Sequence, residues 1–167
     1  MKHTISILVE NHFGVLARVS GLFSTRGYNI DSLCVGETAD PVTSRMTVVV
    51  HGDDDVIAQI INQLNKLVEV IEVIDLTTEP FVERELVLIK VSTGAKEGDR
   101  INNRREIIEM ANIFRAKVVD VGARSVIVEV TGSEGKITAF VDMMRPFHIE
   151  ELVRTGEIAI ARSPKEM

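Results

Sequence analysis

The chain has one cysteine, no tryptophan, one tyrosine and six phenylalanines among its 167 residues. Each scarcity excludes something. Cys34 has no partner for an internal disulfide, which makes the cytoplasm the expected compartment. The few aromatics are scattered, and no strand carries a pair that would stack nucleic-acid bases. No apolar run approaches the ~20 residues that cross a bilayer, so no membrane is expected. The opening "MKHTISILVE" has too short an apolar stretch for a secretion signal and lacks a small-residue cleavage site; it reads as a first strand. The formal net charge of −6 argues against a nucleic-acid partner, because phosphate binding needs concentrated Lys and Arg.

Catalytic chemistry is equally sparse. His3, His12, His51 and His148 are far apart, form no H-x-x-x-H pair and stand at no metal-ligand spacing from Cys34. "GSEGKI" at 132–137 fails as a phosphate loop, because Ile137 stands where a hydroxyl should hold magnesium. Asp53, Asp54 and Asp55 read as a helix start stabilised against its dipole rather than a metal cluster. No nucleophile–histidine–carboxylate set is evident. The chain is expected to carry no catalytic site, bound cofactor or metal of its own.

With hydrophobic residues at 45%, a real core is available. The apolar pattern divides into two halves with one order of elements. Residues 4–9 are β-rich. Val15, Leu16, Val19, Leu22 and Phe23 then mark one helical face. Gly27 ends that helix as a left-handed cap. Residues 29–37 and 44–50 read as strands around the turn "ADPVTS", and the second alternates Met46, Val48 and Val50 against Arg45, Thr47 and Val49. A helix carrying Val56, Ile57, Ile60, Ile61, Leu64 and Leu67 follows, then a strand over 70–76. In the second half, "RELVLIKVS" is a strand and "TGAKEGDRINN" a polar loop. A helix over about 104–114 shows Ile107, Ile108, Ala111 and Phe114 on one face. A hairpin pairs 117–121 with 125–131, and a helix capped at Ser133 carries Ile137, Phe140, Val141 and Met144. The β-rich tail is broken at Gly156, and "TTEPFVERE" between the halves, with Pro80, reads as a linker.

Two βαββαβ units define an α+β chain of two ferredoxin-like domains, over 1–79 and 80–167, each an antiparallel sheet with both helices on one face. The other face needs a cover. Half-exposed apolar side chains on the third strand therefore point to a homodimer, most simply a twofold one.

The stretch "VENHFGVLARVSGLFSTRGYNIDSL" at 9–33 carries the candidate binding chemistry. A turn through Gly14 leaves the first N–H groups of a helix unpaired, and such groups bind a carboxylate. Gly14 lets a ligand approach the backbone closely. Asn11 and Asn29 offer amide groups to an ammonium or a carboxylate. Val15, Leu16 and Ile30 could surround a small aliphatic side chain, and His12 and Phe13 lie in the same loop. The set suits a free amino acid, although Gly and Asn are also ordinary turn residues.

The segments "ILVENHFGVLARVSGLFSTRGYNIDSL" and "DPVTSRMTVVV" closely resemble the amino-terminal ACT domain of the acetolactate synthase (acetohydroxyacid synthase) small regulatory subunits. Glu10, Asn11, Gly14, Leu16, Arg18, Gly21, Arg26, Gly27, Tyr28, Asn29 and Ile30 fall on the pattern, and 44–47 keep S-R-M-T. "KLVEVIEVIDL" and "VERELVLIKV" extend the likeness over essentially the whole chain, with more drift in the second half. The resemblance implies a partner, the large catalytic subunit, carrying thiamine diphosphate, magnesium and FAD. It implies a role in valine, leucine and isoleucine biosynthesis, in which the small subunit raises catalytic activity and confers feedback inhibition by valine. It further implies an effector held between two ACT domains of a dimer, by the 11–14 loop of one protomer and the Asn29 region of the other. Ala17 stands where some relatives carry serine. The alternatives are a stand-alone amino-acid sensor, which would need a DNA-binding segment that is not evident, and a dimerisation module with an empty pocket.

Overall fold

A computed structural model describes residues 1–163. The described chain has the order β1 (Lys2–Glu10), α1 (Val15–Thr25), β2 (Ile30–Glu37), β3 (Thr43–His51), α2 (Asp54–Leu64), β4 (Val70–Asp75), β5 (Phe81–Ser92), α3 (Glu97–Ile113), β6 (Lys117–Val121), β7 (Ser125–Gly132), α4 (Glu134–Met144), β8 (Ile149–Arg154) and β9 (Ile158–Ala161). The expected βαββαβ order therefore occurs twice, and β9 is additional.

The strands form two antiparallel sheets, in the orders β2-β3-β1-β4 and β6-β7-β5-β8, with β9 paired to β5. Strand periodicity places the core. Ile5 and Ile7 of β1 face Val48 and Met46 of β3, and all four bury against Val15, Val19 and Phe23 of α1 and Ile57, Ile60 and Leu64 of α2. In the second sheet Val87, Ile89 and Val91 of β5 pair with Val130, Val128 and Val126 of β7. They pack on Ile107 and Ala111 of α3 and on Ile137, Phe140, Val141 and Met144 of α4. Fully burying one such aliphatic side chain contributes about 1.5–3 kcal/mol, so each core is the main stabilising element of its unit.

Three readings of the sequence change. Residues 97–103 of the polar segment expected as a loop form the first half of α3, which begins at Glu97 rather than near residue 104. It has no apolar stripe to announce a helix; Glu97 and Asp99 in its first turn favour one through the dipole instead. The expected linker is ordered: a 3-10 turn spans Leu76–Thr78, and Phe81 already belongs to β5. Finally, the alternate face of β3 is not half exposed, since Thr47 and Val49 are buried together with Thr4 and Ser6 opposite them.

Part of that face is covered by the C-terminal segment. The described chain forms two compact units, 83–155 and a second unit made of 1–82 with residues 156–163. Residues 156–163 thus return to the unit that holds residues 1–82, beside an expected division at residue 79. Glu157 explains the return. Its buried carboxylate accepts from Thr4 Oγ1 at 2.9 Å and from Lys2 Nζ at 2.8 Å, and its N–H donates to Ser32 Oγ at 3.0 Å. Such a group is stable inside only because both oxygens are matched.

Candidate functional site

β1 runs out at Glu10, whose N–H donates to Glu69 O at 2.9 Å, and Asn11 N–H is held by Val42 O at 2.8 Å. These bonds fix the turn that follows. Gly14 takes φ +90°, a left-handed conformation that a side chain resists. A Cβ placed on it would meet nothing within 4 Å, so the space in front of the turn is open. α1 starts there with no side-chain cap and no acidic residue in its first turn. Its leading N–H groups are therefore not matched by a carboxylate of the described chain, and the positive end of the helix dipole faces outward.

The Asn11 side chain is already oriented. Its Nδ2 donates to Pro41 O at 2.9 Å and to Glu37 Oε1 at 3.1 Å. With both amide hydrogens used, the carbonyl oxygen is the group left to face a ligand, and it can only accept. Asn29 is set the same way from the other end of α1, where Nδ2 donates to Asp31 Oδ1 at 3.0 Å. Asp31 also accepts from His51 Nδ1 at 2.6 Å. That bond, with the weaker help of Asn29 and against some desolvation, holds the Asp31 carboxyl below its ordinary value of 3.8. An ionised Asp31 keeps the Asn29 amide turned toward it. Arg18, one turn into α1, is ion-paired with the largely buried Glu69, which ties α1 to the segment leading into β4.

The predicted site residues separate into groups. Asn11, His12, Phe13 and Gly14 form one exposed loop, with the His12 ring 3.1 Å from the Glu10 carboxylate and Phe13 fully exposed. Leu16, expected on the buried helical face, is 45% exposed and stands beside that loop. Val15 points the other way: it is 4% exposed and part of the core, and its N–H makes a long 3.5 Å bond to His12 O within the turn. Ile30 is partly buried against the same core. Asn29 is not brought to Asn11 within one chain. The eleven-residue helix between them is about 16 Å long. Two features were missed from sequence: the Asp31–His51 pair behind Asn29, and Glu37, which orients Asn11 from β2. Neither has a local pattern, because both depend on strand pairing.

The far end of α1 is closed as expected. Gly27 takes φ +73°, with Gly27 N–H on Ser24 O at 3.1 Å and Tyr28 N–H on Phe23 O at 3.0 Å. This Schellman pair stops the helix and turns the chain into Asn29. Asp53 caps α2, accepting from Val56 N at 2.9 Å. Among the described residues, no group of three or more His, Cys, Asp or Glu side chains is placed to hold a metal. No helix of the described residues is long and apolar enough to cross a membrane.

Fold and site together define a two-domain α+β protein whose first domain is of the ACT type. The AHAS small subunit-like ACT domain family matches residues 5–72, and the family described as the small subunit of acetolactate synthase matches 84–163. The chain is 55% identical to the probable acetolactate synthase small subunit of Archaeoglobus fulgidus, over 99% of this chain and 100% of that one. It is 47% identical to the acetolactate synthase small subunit of Aquifex aeolicus, over 96% of this chain and 81% of the relative. The crystal structure of the small subunit from Thermotoga maritima superposes with a TM-score of 0.86 at 40% identity, covering 98% of this chain and 99% of that one. The chain belongs to the acetolactate synthase small subunit family.

Proposed function

We propose that this chain is a non-catalytic, cytoplasmic regulatory subunit that forms a homodimer, binds the large catalytic subunit of acetolactate synthase and confers feedback inhibition by valine. Thiamine diphosphate, magnesium and FAD belong to the catalytic subunit in this reading, and the small subunit acts on the condensation of 2-oxo acids only by shifting its partner. The observation that carries the effector site is the uncapped start of α1 at Gly14, open in front and flanked by an Asn11 amide already committed as a donor. The valine carboxylate docks on the α1 N–H groups. Its ammonium is accepted by the carbonyl oxygens of Asn11 and, from a second protomer, Asn29. Leu16 provides apolar contact for the side chain.

The dimer is required because one chain keeps Asn11 and Asn29 at opposite ends of α1. Ala17 and Gly21, a turn apart on that helix, leave room for a second backbone; a Cβ at Gly21 would meet nothing within 4 Å. A ligand held by both protomers stabilises one dimer arrangement over another, and that differential affinity is the means by which it acts on the catalytic subunit. The test is reconstitution. Full-length chain is mixed with the large subunit, purified as a complex and assayed for acetolactate formation with and without valine. Co-purification, higher activity and inhibition by valine are expected. An effector response with no effect on the large subunit would favour a free-standing sensor, and no effector response at all would favour a dimerisation module.

A further inference from the structure

A second cleft lies along the side of α3, in the segment whose sequence gives no helical stripe. It is lined by Glu97, Arg100, Ile101, Arg104 and Ala123 and has a volume of ≈ 290 Å³. That is at the small end of ligand pockets, which run about 300–1,000 Å³. An adjoining cleft of ≈ 380 Å³ shares Ile101 and Arg104 and adds Ile108 and the Arg105–Glu109 pair. Arg105 and Glu109 satisfy each other at 3.0 Å. Arg100 and Arg104 are different. Among the described residues neither has an ion-pair partner, and the Nε atom of each is buried without a hydrogen-bond acceptor.

Arg104 is held in place by Nη2, which donates to Gly122 O at 2.8 Å and Ala123 O at 3.3 Å. Its position is thus fixed by the β6–β7 turn while its Nε–H has nothing to bond. At i and i+4 the two guanidinium groups are neighbours on one helical face, where like charges destabilise the helix. Glu97 supplies one negative charge against the two. A buried guanidinium N–H without an acceptor is costly, and an oxyanion accepting from both groups would remove that cost and the mutual repulsion together. Ile101, 64% exposed, and Ala123 give the cleft an apolar wall beside the charge.

We infer that the Arg100–Arg104 cleft binds a small oxyanion, a phosphate or a short aliphatic carboxylate, at a site separate from the Gly14 turn. The experiment follows the arginine Nε–H resonances of the ¹⁵N-labelled full-length chain during titration with inorganic phosphate or with isobutyrate, at constant ionic strength set by chloride. Two resonances should shift saturably, and they are assigned as those lost in Arg100→Gln and Arg104→Gln. Arg100→Gln should weaken binding at least tenfold, and the response should persist in Gly14→Asp. Tighter phosphate binding identifies a phosphate site, and tighter isobutyrate binding a carboxylate site. Shifts that are small, unsaturable and alike for all arginines, or a response unchanged in Arg100→Gln, overturn the inference. Arg104→Gln also breaks the bonds to Gly122 and Ala123; if it unfolds the chain, Arg100→Gln alone decides, because its side chain makes no such bond.

Discussion

Thr4 and Glu157, 153 residues apart, share a buried hydrogen bond of 2.9 Å between the hydroxyl and the carboxylate. The first unit is therefore assembled from both ends of the described chain. Glu157→Ala should destabilise that unit by about 1–3 kcal/mol, because Thr4 and Lys2 lose their acceptor. Urea unfolding of the full chain, followed by the Tyr28 signal, measures this. The same contact bears on dissection: a fragment ending at residue 82 should be less stable than the full chain, and adding back a peptide of 156–163 should restore part of the loss. An equal midpoint for fragment and full chain would mean that the return is passive.

Gly27 gives an independent check on the end of α1. It adopts φ +73° with open space around the missing Cβ. Gly27→Ala should thus cost only the backbone strain, about 1–2 kcal/mol, with no change in fold. Thermal unfolding with far-ultraviolet dichroism measures it. A stabilised Gly27→Ala would contradict the left-handed cap.

Asp31 sets a pH dependence. Its folded pKa is lowered, chiefly by the His51 hydrogen bond. A lowered carboxyl contributes stability that is present above its unfolded pKa and is lost as pH falls through the folded value. Carboxyl ¹³C titration should therefore find Asp31 below 3.8, moving upward in His51→Ala. A midpoint at or above 3.8 in the intact chain would mean that the pair does not form in solution.

The two cores predict separable damage. Phe140, fully buried and edge-on to Phe114 at 5.3 Å between ring centroids, anchors α4 in the second unit. Phe140→Ala should cost about 3–5 kcal/mol there. Valine binding at the first unit should survive, while transmission of the valine signal to the catalytic subunit should weaken. Calorimetry with valine, run beside the reconstituted assay, distinguishes the two. Loss of valine binding in Phe140→Ala would show that effector capture depends on the second unit.

Much of this was legible in the residues. The faces of α2 and α4, the strands β1 and β3, and the stop at Gly27 are compositional, periodic or stereochemical signals, and the structure keeps them. Leu16 was not legible: Val15, Val19 and Phe23 are the buried residues of α1, and Leu16, read from its spacing as one of that face, lies outside it. α3 was missed because its first half has charge rather than an apolar stripe. The place of β9 depends on its pairing with β5, and the buried state of Glu157 on Lys2, Thr4 and Ser32; both are long-range contacts, which no local pattern encodes. At the candidate site, the placing of Asn11 and Gly14 before α1 and of Asn29 after it was readable. The Glu37 and Asp31 contacts that fix which amide atoms remain available were not.

The central claim is that the Gly14 turn receives the effector carboxylate. The most direct measurement is acetolactate synthesis by the reconstituted complex against valine concentration, comparing the intact chain with Gly14→Ala and Gly14→Asp. At φ +90° both substitutions carry similar backbone strain, so Gly14→Ala controls for it. The aspartate alone places a negative charge beside the incoming carboxylate in a partly desolvated site. Gly14→Asp should abolish valine inhibition while dimerisation, read by light scattering, and activation of the large subunit persist, and Gly14→Ala should retain a weakened response. Valine inhibition unchanged in Gly14→Asp would contradict the site.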